Sequence, residues 1–174
     1  MANTHASILA AARRIAGGRG PDPSVGAVAR LAGVSRITVY NHFGSREGLY
    51  AALRQELGPM PAETDADRDQ EPVSRLARRI AAATSGWAAD PALHRRLQSN
   101  SSAPPESGDD RALAHRLAAS DLLRPGCSIK EAEDVIGLLT SFAAFDRLHA
   151  GGRRSAAAVA EILMRLAREI LAPS

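Results

Sequence analysis

Apolar side chains recur at helical spacing in several segments of the first third of the chain. Between residues 24 and 32 the apolar positions follow the i, i+3, i+4, i+7 pattern, which places them on one face of a helix. These positions are Val25, Val28, Ala29 and Ala32. A similar face precedes this segment at Ile8, Leu9, Ala12, Ile15 and Ala16, and Leu49, Leu53 and Leu57 form another after it. No convincing period-two alternation appears, so the pattern predicts an all-α chain.

A turn signal separates the helix ending near residue 32 from the next one. Gly33 stands where a helix C-terminus favours a residue that tolerates positive φ. Ser35 is suited to N-cap the following helix, and Val34 and Val39 occupy the two positions of a hydrophobic staple. Two short helices joined by a turn of three to four residues that contains Gly form a helix-turn-helix.

The second helix of this motif is predicted to have a polar outer face. Arg36, Ile37, Tyr40 and Asn41 would point outward, while Val39 and Phe43 would face the core. Such a face, cationic and rich in hydrogen-bonding groups, fits the major groove of DNA.

The charge distribution agrees with a nucleic-acid partner. Residues 1–57 hold seven arginines against Asp22, Glu47 and Glu56, a balance of +4, while the rest of the chain holds fifteen basic and sixteen acidic residues, a balance of −1. Positive charge concentrated on a small domain favours nucleic acid. An arginine-rich solvated surface explains the charge equally well, since Lys130 is the only lysine.

Residues 58–72 are rich in proline and acidic residues and almost lack apolar ones, which predicts a linker. The chain therefore divides into a helix-turn-helix domain at 1–57, the linker at 58–72 and a helical domain at 73–174. Four or five further helices are predicted in this last part. One runs from a capping box at Ser128 and Glu131 to about Ala150, and another covers residues 155–171.

The segments LAGVS and TVYNHFGSREGLYAAL resemble the N-terminal domain of TetR/AcrR-type transcriptional regulators. The resemblance covers roughly residues 6–57, and its most specific part is Tyr40, His42 and Phe43 followed by Arg46. It implies an all-helical homodimer in which each subunit has a three-helix DNA-binding domain and a larger helical domain that binds small effectors.

The resemblance also implies roles for individual residues. Those matching Tyr40, His42 and Arg46 commonly contact phosphates, and those matching Arg36, Ile37, Thr38 and Asn41 lie toward base edges. The predicted DNA-binding set is thus Ser35, Arg36, Ile37, Thr38, Tyr40, Asn41, His42 and Arg46. Tyr40 as a half-buried packing residue and His42 as a core hydrogen-bonding residue remain alternatives. Val25 and Gly26 depart from relatives that carry an Arg or Thr touching DNA there, which weakens the expectation of tight binding.

Large apolar residues on the predicted C-terminal helices are candidates for the walls of an effector cavity. The set is Trp87, Leu93, Leu122, Leu138, Phe142 and Met164. Its members, together with Phe145, could equally form an ordinary core.

Enzymatic chemistry finds little support in the sequence. The five histidines show no metal-ligand spacing, and neither a Gly-rich phosphate loop nor a GxSxG motif is present, so neither catalysis, a metal nor a cofactor is expected. Asp109 and Asp110 are interpreted as helix-start residues, and the single Cys127 as a packing residue.

The cellular setting is expected to be the cytoplasm without membrane association. The arginines near the N-terminus follow the apolar stretch, the reverse of a signal peptide, and no apolar run approaches the roughly 18 residues of a transmembrane helix.

The predicted function is sequence-specific transcriptional regulation by a homodimer bound to a double-stranded DNA operator, with repression relieved by a small-molecule effector. The dimer is expected to form through the last two helices. Two alternatives remain open: a structural DNA-binding protein without sequence preference, and a helical enzyme or ligand carrier with a degenerate helix-turn-helix.

Overall fold

The structure is a computed structural model, and it describes residues 4–18, 20, 24–57, 70–100 and 108–172. The regular secondary structure of the described residues is helical, apart from an isolated antiparallel bridge between Leu123 and Leu171. The helices are α1 (Thr4–Gly17), α2 (Val25–Ala32), α3 (Arg36–Phe43), α4 (Arg46–Leu57), α5 (Pro72–Ala89), α6 (Pro91–Ser99), α7 (Gly108–Ala119), α8 (Ile129–Leu139), α9 (Phe142–Asp146) and α10 (Ala156–Ala167), with a π-helical turn at Arg147–Gly151. The all-α prediction is confirmed. No helix among the described residues is both long and apolar enough to cross a membrane.

The chain forms two compact units, the first made of residues 1–59 and 90–104 and the second of residues 60–89 and 105–174. In the first unit α1 packs against α2, α4 and α6, and α3 packs against α2 and α4. The core of this unit is formed by apolar faces that the spacing predicts, among them Ile8, Val28, Leu49 and Leu53.

Helix α6 belongs to the first unit, whereas the sequence assigns residues 90–104 to the C-terminal domain. Its apolar residues Leu93 and Leu97 are buried in the N-terminal core. The guanidinium group of Arg96 donates hydrogen bonds to the carbonyl oxygens of Ile15 and Ala16 at 2.7 and 2.6 Å. The apolar stripe of α6 therefore closes the core of the helix-turn-helix domain. The predicted linker lies outside the described residues as far as residue 69, and Pro72 already belongs to α5.

In the second unit α7 packs against α8, and α10 packs against α5 and α8. A continuous core includes Leu76, Ile80, Leu113, Ile136 and Leu163. The backbone returns from α10 to the segment after α7, where Ala172 donates a hydrogen bond to the Leu122 carbonyl at 2.8 Å.

The prediction of one helix from Ser128 to Ala150 is wrong, because the chain breaks after Leu139. Ser141 adopts an extended conformation (φ −94°, ψ 146°), and its hydroxyl oxygen accepts a hydrogen bond from the Ala144 amide. The Thr140 hydroxyl donates to the Ile136 carbonyl. Hydroxyl side chains that bond to nearby backbone groups compete with helix continuation. Ser141 therefore ends one helix and caps the next.

Candidate nucleic-acid interface

The turn between α2 and α3 is built by the residues that the sequence singles out. Gly33 adopts φ +70°, the left-handed conformation that closes a helix at little cost only for glycine. Its amide donates to the Arg30 carbonyl at 3.3 Å, and the Val34 amide donates to the Ala29 carbonyl at 3.0 Å. The Ser35 hydroxyl then accepts from the Thr38 amide at 3.0 Å and N-caps α3. Residues 25–43 thus form the predicted helix-turn-helix.

The outer face of α3 is solvent-exposed, as predicted. Ile37 is 71% exposed and Tyr40 49%, and Arg36 and Asn41 are exposed too. Val39 is buried on the opposite side. With about half of its surface exposed, Tyr40 fits both the outward position and the half-buried position that the sequence left open.

The hydroxyl groups of Ser35 and Thr38, both predicted to contact DNA, form a hydrogen bond with each other. The Ser35 and Thr38 side-chain oxygens lie 2.8 Å apart, at a distance where either can be the donor. Because Ser35 also caps the helix, these two residues order the first turn of α3. Ser35 remains exposed and Thr38 is half-buried.

His42 lies at the C-terminal end of α3 and is exposed, so the alternative of a core position does not apply. Its ring centroid is 6.1 Å from that of Phe43 and 6.1 Å from that of His5 on α1. His5 stands 4.8 Å from the Phe43 ring. The sequence analysis missed His5, since only the fold places the start of α1 beside the end of α3.

Arg46 opens α4, where the Ser45 hydroxyl accepts from the Gly48 amide at 3.0 Å. The Arg46 guanidinium carbon lies 5.4 Å from the ring centroid of the buried Tyr50, within cation–π range. Arg46 is half-buried and thus has a restricted position at the first turn of α4.

Gly26 has a neighbour that the sequence does not reveal. The Arg36 guanidinium group lies against it, although the two residues are ten positions apart. The turn at Gly33 brings the first turn of α2 and the first turn of α3 together.

The six predicted effector residues do not all lie together. Trp87 and Phe142 are buried in the core of the second unit, with Leu122 and Met164 packed against it. Leu93 instead belongs to the core of the first unit, because α6 closes that core, and Leu138 is 62% exposed. The structure thus brings four of the six predicted residues together in the second unit, and Leu93 and Leu138 are not part of that core.

Aromatic rings contact one another at the centre of the second unit. The Trp87 ring centroid is 5.9 Å from that of Phe142 and 5.6 Å from that of Phe145, and Phe142 lies 5.9 Å from Phe145. The His149 ring stacks on Phe145 at 4.8 Å. Trp87 and Phe142 are both buried within the single chain.

A shallow groove of about 500 Å³ lies in the first unit. It contains none of the predicted effector residues, and its walls carry charges of both signs. The lining residues are Ala10, Arg13, Arg14, Gly17, Gly18, Glu56 and Asp90.

Asp110 and Cys127 have surroundings that favour structural roles. Asp110 is buried and accepts a hydrogen bond from the Arg79 guanidinium; burial raises the pKa of its carboxyl group, and Arg79 opposes that shift. Burial, with a contribution from Glu131, raises the pKa of the Cys127 thiol, which disfavours a reactive thiolate. Among the described residues, no group of three or more His, Cys, Asp and Glu is placed to hold a metal ion.

Comparison with protein families finds a match to bacterial regulatory proteins of the tetR family over residues 8–53, which spans α2, α3 and most of α1 and α4. No curated protein sequence is significantly similar to the chain.

Solved structures resemble the chain over nearly its full length. NalD from Pseudomonas aeruginosa, the secondary repressor of the MexAB-OprM multidrug efflux pump, is 20% identical with a TM-score of 0.68, over 98% of this chain and 96% of NalD. A TetR-like transcriptional regulator from Rhodococcus sp. RHA1 is 25% identical with a TM-score of 0.61, over 97% and 96% of the two chains. A third structure, which describes the molecular basis for control of antibiotic production by bacterial hormones, is 23% identical with a TM-score of 0.69, over 98% of both chains.

The family match covers the helix-turn-helix and the helices that support it, and the shared fold extends over the second unit as well. Together they show that the chain has the N-terminal DNA-binding domain of bacterial regulatory proteins of the tetR family and, over nearly its whole length, the fold of TetR-like transcriptional regulators.

Proposed function

We propose that the protein is a repressor that binds an operator as a homodimer and is released from it by a small molecule. The DNA-binding part of this proposal is supported by the exposed outer face of α3, which consists of Arg36, Ile37, Tyr40 and Asn41. Recognition helices of this motif contact base edges with their N-terminal residues, and Arg36 and Ile37 are the first two residues of α3.

The chemistry of these side chains suggests a division of roles. A guanidinium group fits the two acceptors of guanine, an Asn amide fits adenine, and an apolar side chain such as Ile37 fits the methyl group of thymine. Tyr40, His42 and Arg46 are assigned to phosphates, which position the protein on the duplex without specifying a sequence. Ser35 and Thr38 support this face by ordering the first turn of α3.

Dimerisation is proposed through α8 and α10. Leu138 on α8 and Leu166 on α10 are 62% and 51% exposed, and both are large apolar residues. The apolar residues Phe142, Val159 and Leu163 in the same part of the chain are buried inside the single chain and are not available for this interface. A two-fold dimer presents two copies of α3, and such dimers bind half-sites roughly one helical turn of DNA apart.

Selection of binding sites from random and genomic duplexes tests the DNA-binding proposal. A palindromic preferred site with half-sites roughly 10 base pairs apart, or a multiple of this, is expected. Equal affinity for selected and random duplexes would favour the structural DNA-binding protein instead. Absence of DNA binding at any salt concentration would favour the ligand carrier.

Release by an effector is tested with the fluorescence of Trp87, the only tryptophan of the chain. A compound that binds near the aromatic cluster should change this emission and weaken operator binding. A ten- to hundredfold loss of affinity corresponds to about 1.4–2.7 kcal/mol of coupling, and operator DNA must weaken the ligand by the same factor. Equal ligand affinity with and without operator would rule out induction by that compound.

A further inference from the structure

The Arg36 guanidinium group occupies the space that a side chain at position 26 would need. A Cβ atom placed on Gly26 would lie 2.7 Å from Nε, 2.7 Å from Nη2 and 3.0 Å from Cζ of Arg36. Real Cβ atoms essentially never approach other atoms to within 3.0 Å. Any other residue at this position would therefore displace the guanidinium group.

The same distances show how the guanidinium group is oriented. The two nitrogens are nearer to the Cβ position than Cζ is, so the edge formed by Nε and Nη2 faces Gly26. The edge formed by Nη1 and Nη2 is turned away from Gly26, and Arg36 is exposed. A guanidinium edge with two N–H donors is the group that makes bidentate contacts to guanine.

Gly26 weakens the helix in which it stands. It lies in the first turn of α2, where its backbone is helical, and glycine is less favourable than alanine in a helix. It is nevertheless buried, and the atoms nearest to the position of its missing Cβ belong to Arg36. The absence of a side chain at position 26 thus leaves the space that the Arg36 guanidinium group occupies.

We propose that Gly26 is a specificity-determining residue, because the space beside it holds the Arg36 guanidinium group in the orientation that contacts a base. The inference rests on the proposed DNA-binding role of Arg36. A side chain held in its bound orientation loses less freedom on binding. A displaced guanidinium group would no longer meet both acceptors of one base.

The test compares wild type, Gly26→Ala, Arg36→Ala and the double variant. Base preferences are measured by selection from randomised duplexes, and affinities by fluorescence anisotropy at one salt concentration. Gly26→Ala should lower discrimination about tenfold at the base position that Arg36→Ala affects, equivalent to about 1.4 kcal/mol. In the Arg36→Ala background the same substitution should change neither preference nor affinity. Gly26→Ser should act in the same direction as Gly26→Ala.

Thermal unfolding separates this effect from damage to the fold. Because alanine favours the helix more than glycine does, Gly26→Ala should not lower the melting temperature once Arg36 has moved aside. Lost specificity in a variant of unchanged or higher stability would support the proposal.

Several results would overturn it. One is that Gly26→Ala keeps the wild-type base preference, and another is that it has an equal effect in the Arg36→Ala background. A third is that Gly26→Ala weakens binding to all sequences uniformly. Tighter binding by Gly26→Ala would also overturn the proposal, because it would mean that the contact of Arg36 with Gly26 competes with DNA. If wild-type protein prefers no sequence, the proposed function itself fails, and this inference fails with it.

Discussion

Arg96 donates a hydrogen bond of 2.6 Å to the carbonyl oxygen of Ala16, near the C-terminal end of α1. The same guanidinium group also reaches the carbonyl oxygens of Ile15 and Gly20. The last carbonyls of a helix lack partners within the helix, and a cation beside them is favourable. Arg96 thereby joins α6 to the end of α1 in the domain that carries the helix-turn-helix.

We expect Arg96→Ala to destabilise the protein by about 1.5–3 kcal/mol, the range for hydrogen bonds to a charged group. Urea unfolding followed by circular dichroism measures this loss. Gln98→Ala is the matched control, since Gln98 is an exposed residue of the same helix. If both variants unfolded at the same urea concentration, the contacts of Arg96 with α1 would contribute nothing to stability.

The local features of the DNA-binding domain could be predicted because each depends on a few neighbouring residues. Gly33 closes α2 and Ser35 caps α3, and Val28 and Val39 lie on the buried faces of these two helices, as the sequence pattern predicts. These are short-range effects of backbone conformation and side-chain hydrogen bonding.

The position of α6 could not be predicted in the same way. The apolar stripe of Leu93 and Leu97 shows that one face of the helix is covered, but not which core covers it. The contacts of Arg96 join residues about 80 positions apart. The contact of Arg36 with Gly26 likewise depends on the angle between two helices, which no local pattern specifies.

The helix break at Ser141 is a different case, because its signal is local. A serine within an apolar helical pattern can either remain in the helix or cap a new one. The spacing of Leu138, Phe142 and Phe145 fits one long helix as well as two, so periodicity alone does not reveal the break.

Arg36→Ala should relax specificity at one base position of the operator. The expected cost is about 1–3 kcal/mol on the preferred sequence, because a bidentate base contact is lost. Competition between the preferred duplex and its single-base variants measures the change. An unchanged ranking of these duplexes would show that Arg36 does not read a base.

Arg46→Ala should weaken binding to all sequences alike. Loss of one phosphate contact should also reduce the slope of log affinity against log salt concentration by about 1. Anisotropy titrations at several salt concentrations, on operator and random duplexes, measure both effects. If Arg46→Ala altered base preference instead, the assignment of α3 as the recognition helix would have to be revised.

Leu138→Glu and Leu166→Glu should each weaken the proposed dimer, since a carboxylate would be placed in an apolar interface. Ile129→Glu is the control, because Ile129 is 37% exposed and lies nine residues before Leu138 on α8. At 3.6 residues per turn this separation places the two side chains on opposite faces of the helix. Sedimentation at micromolar concentration without DNA should show dimers for wild type and the control, and monomers for the other two variants. A monomeric wild type would contradict the proposed assembly.

The unfolding free energy should fall as the pH is lowered past the ordinary pKa of histidine, because of His94 on α6. Burial lowers the pKa of His94, Arg13 lowers it further, and Asp90 acts in the opposite direction. In the unfolded chain His94 regains its ordinary pKa of about 6.5, so below that pH the unfolded state binds more protons than the folded one. The stabilising contribution of neutral His94 is therefore complete above this pH and is lost as the pH falls through the lower folded-state value. Urea unfolding at pH 7.5 and at successively lower pH values should show this loss in wild type and a smaller loss in His94→Gln. Equal pH dependence of the two proteins would mean that His94 titrates alike in the folded and unfolded states.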